Sequence, residues 1–361
     1  MKLVVPALTL TLAACSSAPP RIASADGDPR VAADDATPTC LRVVGARAPG
    51  GEPLELAVRD GRLVRDMDCE ATLDADGRFA VPAFIDSHVH LAYLPRGPQL
   101  AAGGVAAAVD LASPIAFLET DPAPLRLVRA GPMIGAPDGY PTTSWGRDGY
   151  GVACTDAASC RDAVDRAITA GAGVIKISLG AGPDLDDASI AAIVERAHDA
   201  GVRVAVHALG DADAARAARL GADVLAHTPT APLEPATIDA WSSRAVVSTL
   251  GAFGGGVGAI ENLRRLREAG ATVLYGTDLG NTSTASIDGR ELALLEQAGL
   301  DGAAILAAAT SAPAAFWGLD DLGALEPGRA ASFLLLDADP LEDPSTLTAP
   351  AVVVLDGHRL E

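Results

Sequence analysis

Residues 187–227, DASIAAIVERAHDAGVRVAVHALGDADAARAARLGADVLAH, contain one structural unit twice. A helical run over 187–200 is closed by Gly201 and followed by the apolar run 202–207, which ends in His207. A second helical run over 211–220 is closed by Gly221 and followed by 224–227, which ends in His227. A glycine just past the last turn stops a helix. A helix followed by a short β-branched run is part of a crossover unit of a parallel sheet. The rhythm extends both ways, with a helix at 161–170 and Gly171 before strand 174–178, and a helix at 260–269 and Gly270 before strand 272–276. Further strand-like runs lie at 84–90, 105–110, 127–134 and 246–250. Eight strands in roughly 235 residues predict an α/β fold of the (β/α)8 TIM-barrel type. An open doubly wound sheet is the competing arrangement, but no glycine-rich phosphate loop follows any strand.

The two ends read differently. Residues 40–82 hold short β-runs at 41–44, 54–58 and 62–64, broken by Gly, Pro and Asp. The tail from 323 returns to strands at 332–336 and 352–355, with turns at 326–329 and 356–357. Segments 40–82 and 323–361 are therefore expected to pair into a small accessory β-sandwich beside a barrel spanning 83–322. Ahead of them, a basic Met1-Lys2 start precedes an apolar run over 3–14, too short to span a bilayer. It ends in Leu12-Ala13-Ala14-Cys15, which resembles the bacterial lipobox. The resemblance implies that 1–15 is a lipoprotein signal with Cys15 lipidated, and that the protein is exported and held at the envelope membrane. An ordinary cleaved signal is the other reading. Residues 16–39, rich in Ser, Ala, Pro and Asp, read as a disordered tether. Export makes disulfides expected among Cys40, Cys69, Cys154 and Cys160. The short spacing of Cys154 and Cys160 favours a loop staple, which leaves Cys40 with Cys69.

Composition narrows the function. With 49% hydrophobic and 20% charged residues among 361, the chain can bury a large core, although aromatics are only 4%. Its net charge of −20 repels nucleic acid and anionic headgroups, so a small-molecule substrate is expected and membrane contact only through the lipid anchor. Of six histidines, His88, His90, His207 and His227 close predicted strands, at the barrel edge where catalytic groups collect. His88 and His90, two apart on one strand, share a face and are able to hold one metal ion together. A single such histidine is more often structural; four at one edge point to a metal site. Asp278 follows the last strand, and Lys176 sits inside the apolar run 174–178. A buried lysine is costly unless neutral or paired. It is therefore either a core residue with a carboxylate partner or an amine neutral enough to react with carbon dioxide, forming a carbamate. His198 and His358 fall outside the pattern.

The set resembles the metal-dependent amidohydrolase superfamily, and most closely its imidazolonepropionase-like and Xaa-Pro dipeptidase branch. Pro82-Ala-Phe-Ile-Asp86-Ser-His88-Val-His90 is similar to the family's P-G-x-I-D-x-H-x-H, and Gly276-Thr277-Asp278 to its strand-eight motif. Residues 309–315 resemble the following A-T-x-x-P-A-x helix, and residues 323–337 the G-x-L-x-P-G-K-x-A-D tail. The likeness spans about residues 40 to 361. Ala83 stands where the family has Gly, and Ser332 where it has Asp. The resemblance implies two divalent ions, by default zinc. His88, His90 and Asp278 would bind one, His207 and His227 the second, and a carbamate on Lys176 would bridge both. It further implies a metal-bridging hydroxide attacking a substrate carbonyl, with Asp278 as proton shuttle.

Related deaminases carry a Glu shortly after the strand-five His. Here Ala208, Leu209 and Gly210 follow His207, which favours hydrolysis of an amide or other C–N bond in a dipeptide or N-acyl amino acid. Lactone, ester or phosphotriester hydrolysis at the same centre, a single-metal enzyme with unmodified Lys176, and an inactive lipid-anchored binding protein are the other readings. The loop 137–151 reads either as a surface loop tied by Cys154 or as a source of substrate contacts, with Tyr140 near the carbonyl and Arg147 on a carboxylate. That loop also holds Asp138, Ser144, Trp145 and Tyr150. The glycine-rich loop 250–258 reads equally as a mobile wall of the site or as a merely flexible connection.

Overall fold

The computed structural model describes residues 40–180 and 182–360. The expected signal, lipidation at Cys15 and tether lie outside these residues. Helices alternate with parallel strands through the middle of the chain. One ladder runs, in spatial order, through Gly151–Ala153, Met133–Gly135, Val174–Ser178, Arg203–His207, Val224–Leu225, Ala245–Val247 and Thr272–Leu274. A second joins Phe84–Val89, Val105–Asp110 and Arg126–Arg129. All pairings within both are parallel. Backbone bonds cross both seams between the ladders. Gly173 donates to Arg129 at 2.9 Å on one side. On the other, Ser87 donates to Tyr275 at 2.8 Å, Asp278 to His88 at 2.8 Å and His90 to Leu279 at 2.7 Å. The core is TIM-barrel-like.

Helix ends follow the local signals. The helix Ala157–Thr169 begins four residues before the expected start, because Asp156 and Ser159 form a reciprocal capping box. Asp186 likewise accepts from Ser189 N ahead of Asp187–Asp199. The expected strand over 127–134 is interrupted, since Gly131 has φ of +70° and Pro132 has no N–H to donate. Its first part pairs with Val105–Asp110 and its second with Val174–Ser178.

The interior explains where polar groups emerge. Val174, Ala205, Val224, Ala245, Val247 and Leu274 meet in one buried cluster with Trp317. Two residues on, the face carrying Val174 bears Lys176 and the face carrying Ala205 bears His207. The other faces of these strands, through Ile175, Ile177, Val204 and Val206, join Ile190, Ile193 and Ala197 of the neighbouring helix. Small residues fill a core that has few aromatic rings.

Strands from both chain ends make one mixed eight-stranded sheet around its own core of Val43, Leu56, Val58, Ala80, Phe333, Leu335 and Val354. Cys40–Arg47 takes partners on both edges, and its register shifts between Val43 and Ala46 around Gly45, at φ of +67°, so the ladder continues round the bend. Phe79–Pro82 pairs antiparallel with Phe333–Leu336. Ser332, at the departure from the family tail, accepts from Asp356 N at 2.9 Å and holds the last turn. Arg126 binds Asp321 at 2.7 Å and Asp356 at 2.5 Å, tying this sheet to the barrel strand that carries it. Cys40–Cys69 and Cys154–Cys160 are disulfide-bonded.

Trp241 is fully buried and donates its indole N–H to Ala214 O at 3.0 Å, locking two successive crossover helices. Trp241→Ala is expected to lower the unfolding free energy by about 3–5 kcal/mol, read from denaturant titration.

Candidate metal centre

Four strand ends deliver the site. His88 Nε2 lies 3.3 Å from His90 Nε2 and 3.6 Å from Asp278 Oδ1. His90 Nε2 is 3.1 Å from the same carboxylate oxygen. These ligand atoms all fall within 4.8 Å of one another, and the three residues are buried. Neither approach is accidental. Gly276 passes so close that an added Cβ would meet His88 Cβ at 3.2 Å and Val247 at 2.4 Å. At Gly280 it would meet His90 Cβ at 2.7 Å. Only glycine lets the last strand end run behind both imidazoles.

The remaining histidines continue the cluster. The His227 ring centroid lies 4.5 Å from that of His88 and 4.9 Å from that of His207. Hydrogen bonds fix which nitrogens point inward. His88 Nδ1 is 2.8 Å from Ala226 O, which can only accept, so Nδ1 carries the proton and Nε2 presents its lone pair. His227 Nδ1 is bonded to Thr249 Oγ1 at 3.1 Å. Thr249 holds φ of +39° and Asp278 φ of +55°, so the backbone bears local strain at two contributors to the site.

The electrostatics keep three of the imidazoles uncharged. Burial, with the nearby Lys176 amine, lowers His88 well below the usual imidazole range and His207 to about 3. Burial and the imidazole of His88 do the same to His227. Lys176 is fully buried, and its Nζ has no hydrogen-bond partner among the described residues. Burial pulls it down to about 7, and Asp278 offsets this only in part. Burial acts to raise Asp278, yet His88, His90 and the Asn281 amide hold its carboxyl at about 2. Asn281 Nδ2 donates to both its oxygens at 3.1 Å. His90 Nδ1 and His207 Nδ1 are also buried without partners among the described residues. Neutral imidazoles, an ionised carboxylate and an orphaned neutral amine are the donor set a divalent cation takes.

The structure therefore gathers His88, His90, His207, His227 and Asp278, with Lys176 in electrostatic contact with three of the imidazoles and the carboxylate. Tyr140 joins them, its ring 5.1 Å from His207. Arg147 does not. It is exposed, and its guanidinium donates back to Thr143 O at 3.0 Å. His198 pairs with Asp223 at 2.8 Å on the outer surface. Two supporting acids were not assigned roles from sequence. Asp86 accepts from His88 N, Thr277 N and Thr277 Oγ1 at 3.0, 3.0 and 2.6 Å, joining the first and last barrel segments. Burial raises it to about 7 against these bonds. Glu291 accepts from Leu250 N at 3.0 Å and Gly251 N at 2.7 Å, anchoring the start of the glycine-rich loop. Asp86 stands inside the quoted motif and was findable there; Glu291 sits in an ordinary amphipathic helix and left no local signal.

Residues 257–360 match the sequence model described as the amidohydrolase family. Solved structures share the fold at low identity. A Xaa-Pro dipeptidase with bound methionine superposes with a TM-score of 0.78 at 19% identity, covering 89% of this chain and 100% of that one. A putative prolidase from Bifidobacterium longum gives 0.75 at 24% identity, covering 89% and 94%. An ochratoxinase from A. niger gives 0.72 at 18%, covering 89% and 95%. A search of curated proteins found no match.

Lys176 makes the metal-free protein pH-sensitive. Its folded pKa of about 7 lies below its ordinary 10.5, so between those values the unfolded chain binds a proton that the folded one refuses. Stability contributed by this group rises with pH across that window and is lost below it. Lys176→Met is expected to stabilise the metal-free protein by about 1–4 kcal/mol at pH 7 and to flatten that rise, measured by denaturation at several pH values.

Proposed function

We propose that this chain is a metal-dependent hydrolase that cleaves an amide or other C–N bond of a small substrate, such as a dipeptide or N-acyl amino acid. The observation that carries the reading is the meeting of His88, His90 and Asp278 within 4.8 Å beside the orphaned amine of Lys176. The crossing hydrogen bonds at both seams support a closed eight-stranded barrel, with this cluster at the C-terminal mouth. His88, His90 and Asp278 would hold one divalent ion and His207 with His227 a second. Lys176, as a carbamate, would lie between them. Zinc suits this nitrogen and oxygen set. Bound there, such ions acidify water and polarise a carbonyl.

The chain's own groups do the rest. Ala226 O keeps the His88 proton on Nδ1, and Thr249 orients His227. Asp278, ionised at neutral pH, is placed to take a proton and return it to the leaving nitrogen, while Asn281 steadies both its oxygens. Burial of the cluster excludes bulk water. The shared fold of a Xaa-Pro dipeptidase supports an amide between amino-acid-like halves. Two disulfides support export, and the lipobox-like Cys15 supports a lipid anchor facing the periplasm or exterior.

Purified protein is expected to carry about two divalent ions per chain by elemental analysis, with turnover lost on chelation and restored by zinc. Asp278→Asn is expected to cut kcat by about 100-fold or more. Near-wild-type turnover in that variant, or metal-free protein with full activity, would defeat the reading.

A further inference from the structure

The loop 137–151 turns its charges out and its rings in. Asp138, Arg147 and Asp148 are exposed. Trp145 lies 5.4 Å from the His90 ring, edge to face, and Tyr140 lies 5.1 Å from His207. The two rings are 6.1 Å apart and locked together, because Trp145 Nε1 donates to Tyr140 Oη at 2.7 Å. Tyr150 backs Trp145 at 6.1 Å and anchors its hydroxyl on Ala92 O at 2.9 Å. Phe253 of the glycine-rich loop stands 4.8 Å from the His227 ring, edge to face. Tyr140, Trp145 and Phe253 are all half-exposed, so each ring keeps uncovered surface at the mouth.

In a chain only 4% aromatic, this is a marked concentration of rings around four imidazoles. We propose that Tyr140, Trp145 and Phe253 form an aromatic wall for a flat apolar group flanking the scissile bond, which makes an aromatic amide the preferred substrate class. This deepens the hydrolase reading above and rests on it. The indole N–H and the Tyr150 hydroxyl are already committed inside the protein, so these groups offer a ligand ring surface more than polar contacts. Rigid rings held by one another add contact area at little entropic cost, and edge-to-face pairs reward a flat partner. Arg147, the one cation of the loop, is bonded away from the cluster and does not favour a carboxylate in that place.

The test uses acetamide, benzamide and acetanilide as probes, titrated by calorimetry into the full chain as purified. Benzamide or acetanilide is expected to bind at least about tenfold tighter than acetamide, the increment that burial of one ring supplies. Trp145→Ala and Phe253→Leu are expected to shrink that ratio several-fold, and Trp145→Phe to preserve it. Equal affinity for all three amides in the wild type, or an unchanged ratio in both Trp145→Ala and Phe253→Leu, overturns the proposal. Metal content and turnover test the hydrolase reading separately. Ring-selective binding without metal or turnover leaves the wall standing and removes the enzyme; turnover with indifferent binding does the reverse.

Discussion

The amine of Lys176 is buried in the middle of the apolar strand Val174–Ser178, with no hydrogen-bond partner among the described residues. A charged ammonium there would stand against desolvation, so the amine is held close to neutrality. The same low-dielectric surroundings keep His88, His207 and His227 unprotonated, while Asp278 stays the anion of the group against burial because His88, His90 and Asn281 hold its carboxyl down. Such a cluster is poorly satisfied by protein alone. Its orphaned nitrogens, and the strained backbone at Thr249 and Asp278, mark a place where folding free energy is given up to hold donors in one arrangement.

Supporting groups hold that arrangement. Asp86 draws Thr277 and His88 to one carboxylate, so the first and last barrel segments are registered against each other. Gly276 and Gly280 permit the close pass behind His88 and His90 that any side chain would block. Glu291 fixes the backbone of Leu250 and Gly251, and with it the approach of Phe253 to His227. Each device lies on a different element. The centre is thus a property of the whole barrel rather than of any local motif.

Much of this was legible in the sequence because the physics is local. Gly201, Gly221 and Gly270 marked helix ends, His207 and His227 stood at the ends of predicted strands, and Lys176 stood out inside an apolar run. Spacing of two put His88 and His90 side by side. What escaped detection depended on distant partners. The interruption at Gly131 and Pro132 splits one expected strand between two ladders, and the bulge that bends Cys40–Arg47 so that it pairs on both edges had no local signal. Arg147 looked suited to a carboxylate by type alone, but the fold of its loop directs it to Thr143 O. Glu291 acts across 41 and 40 positions on two backbone amides, a relation no local pattern carries.

The pairing of Phe79–Pro82 with Phe333–Leu336 also constrains biogenesis. Arg78 and Asp337, bonded at 2.7 Å across that junction, are 259 positions apart. A nascent polypeptide must expose the edge of Phe79–Pro82 to pairing with other chains until translation reaches the complementary hydrophobic strand. Only then can Arg126 close its fork on Asp356. Completion of the terminal sheet is a late, long-range step, and a ribosome stalled inside the barrel would release a product with an unprotected, aggregation-prone edge.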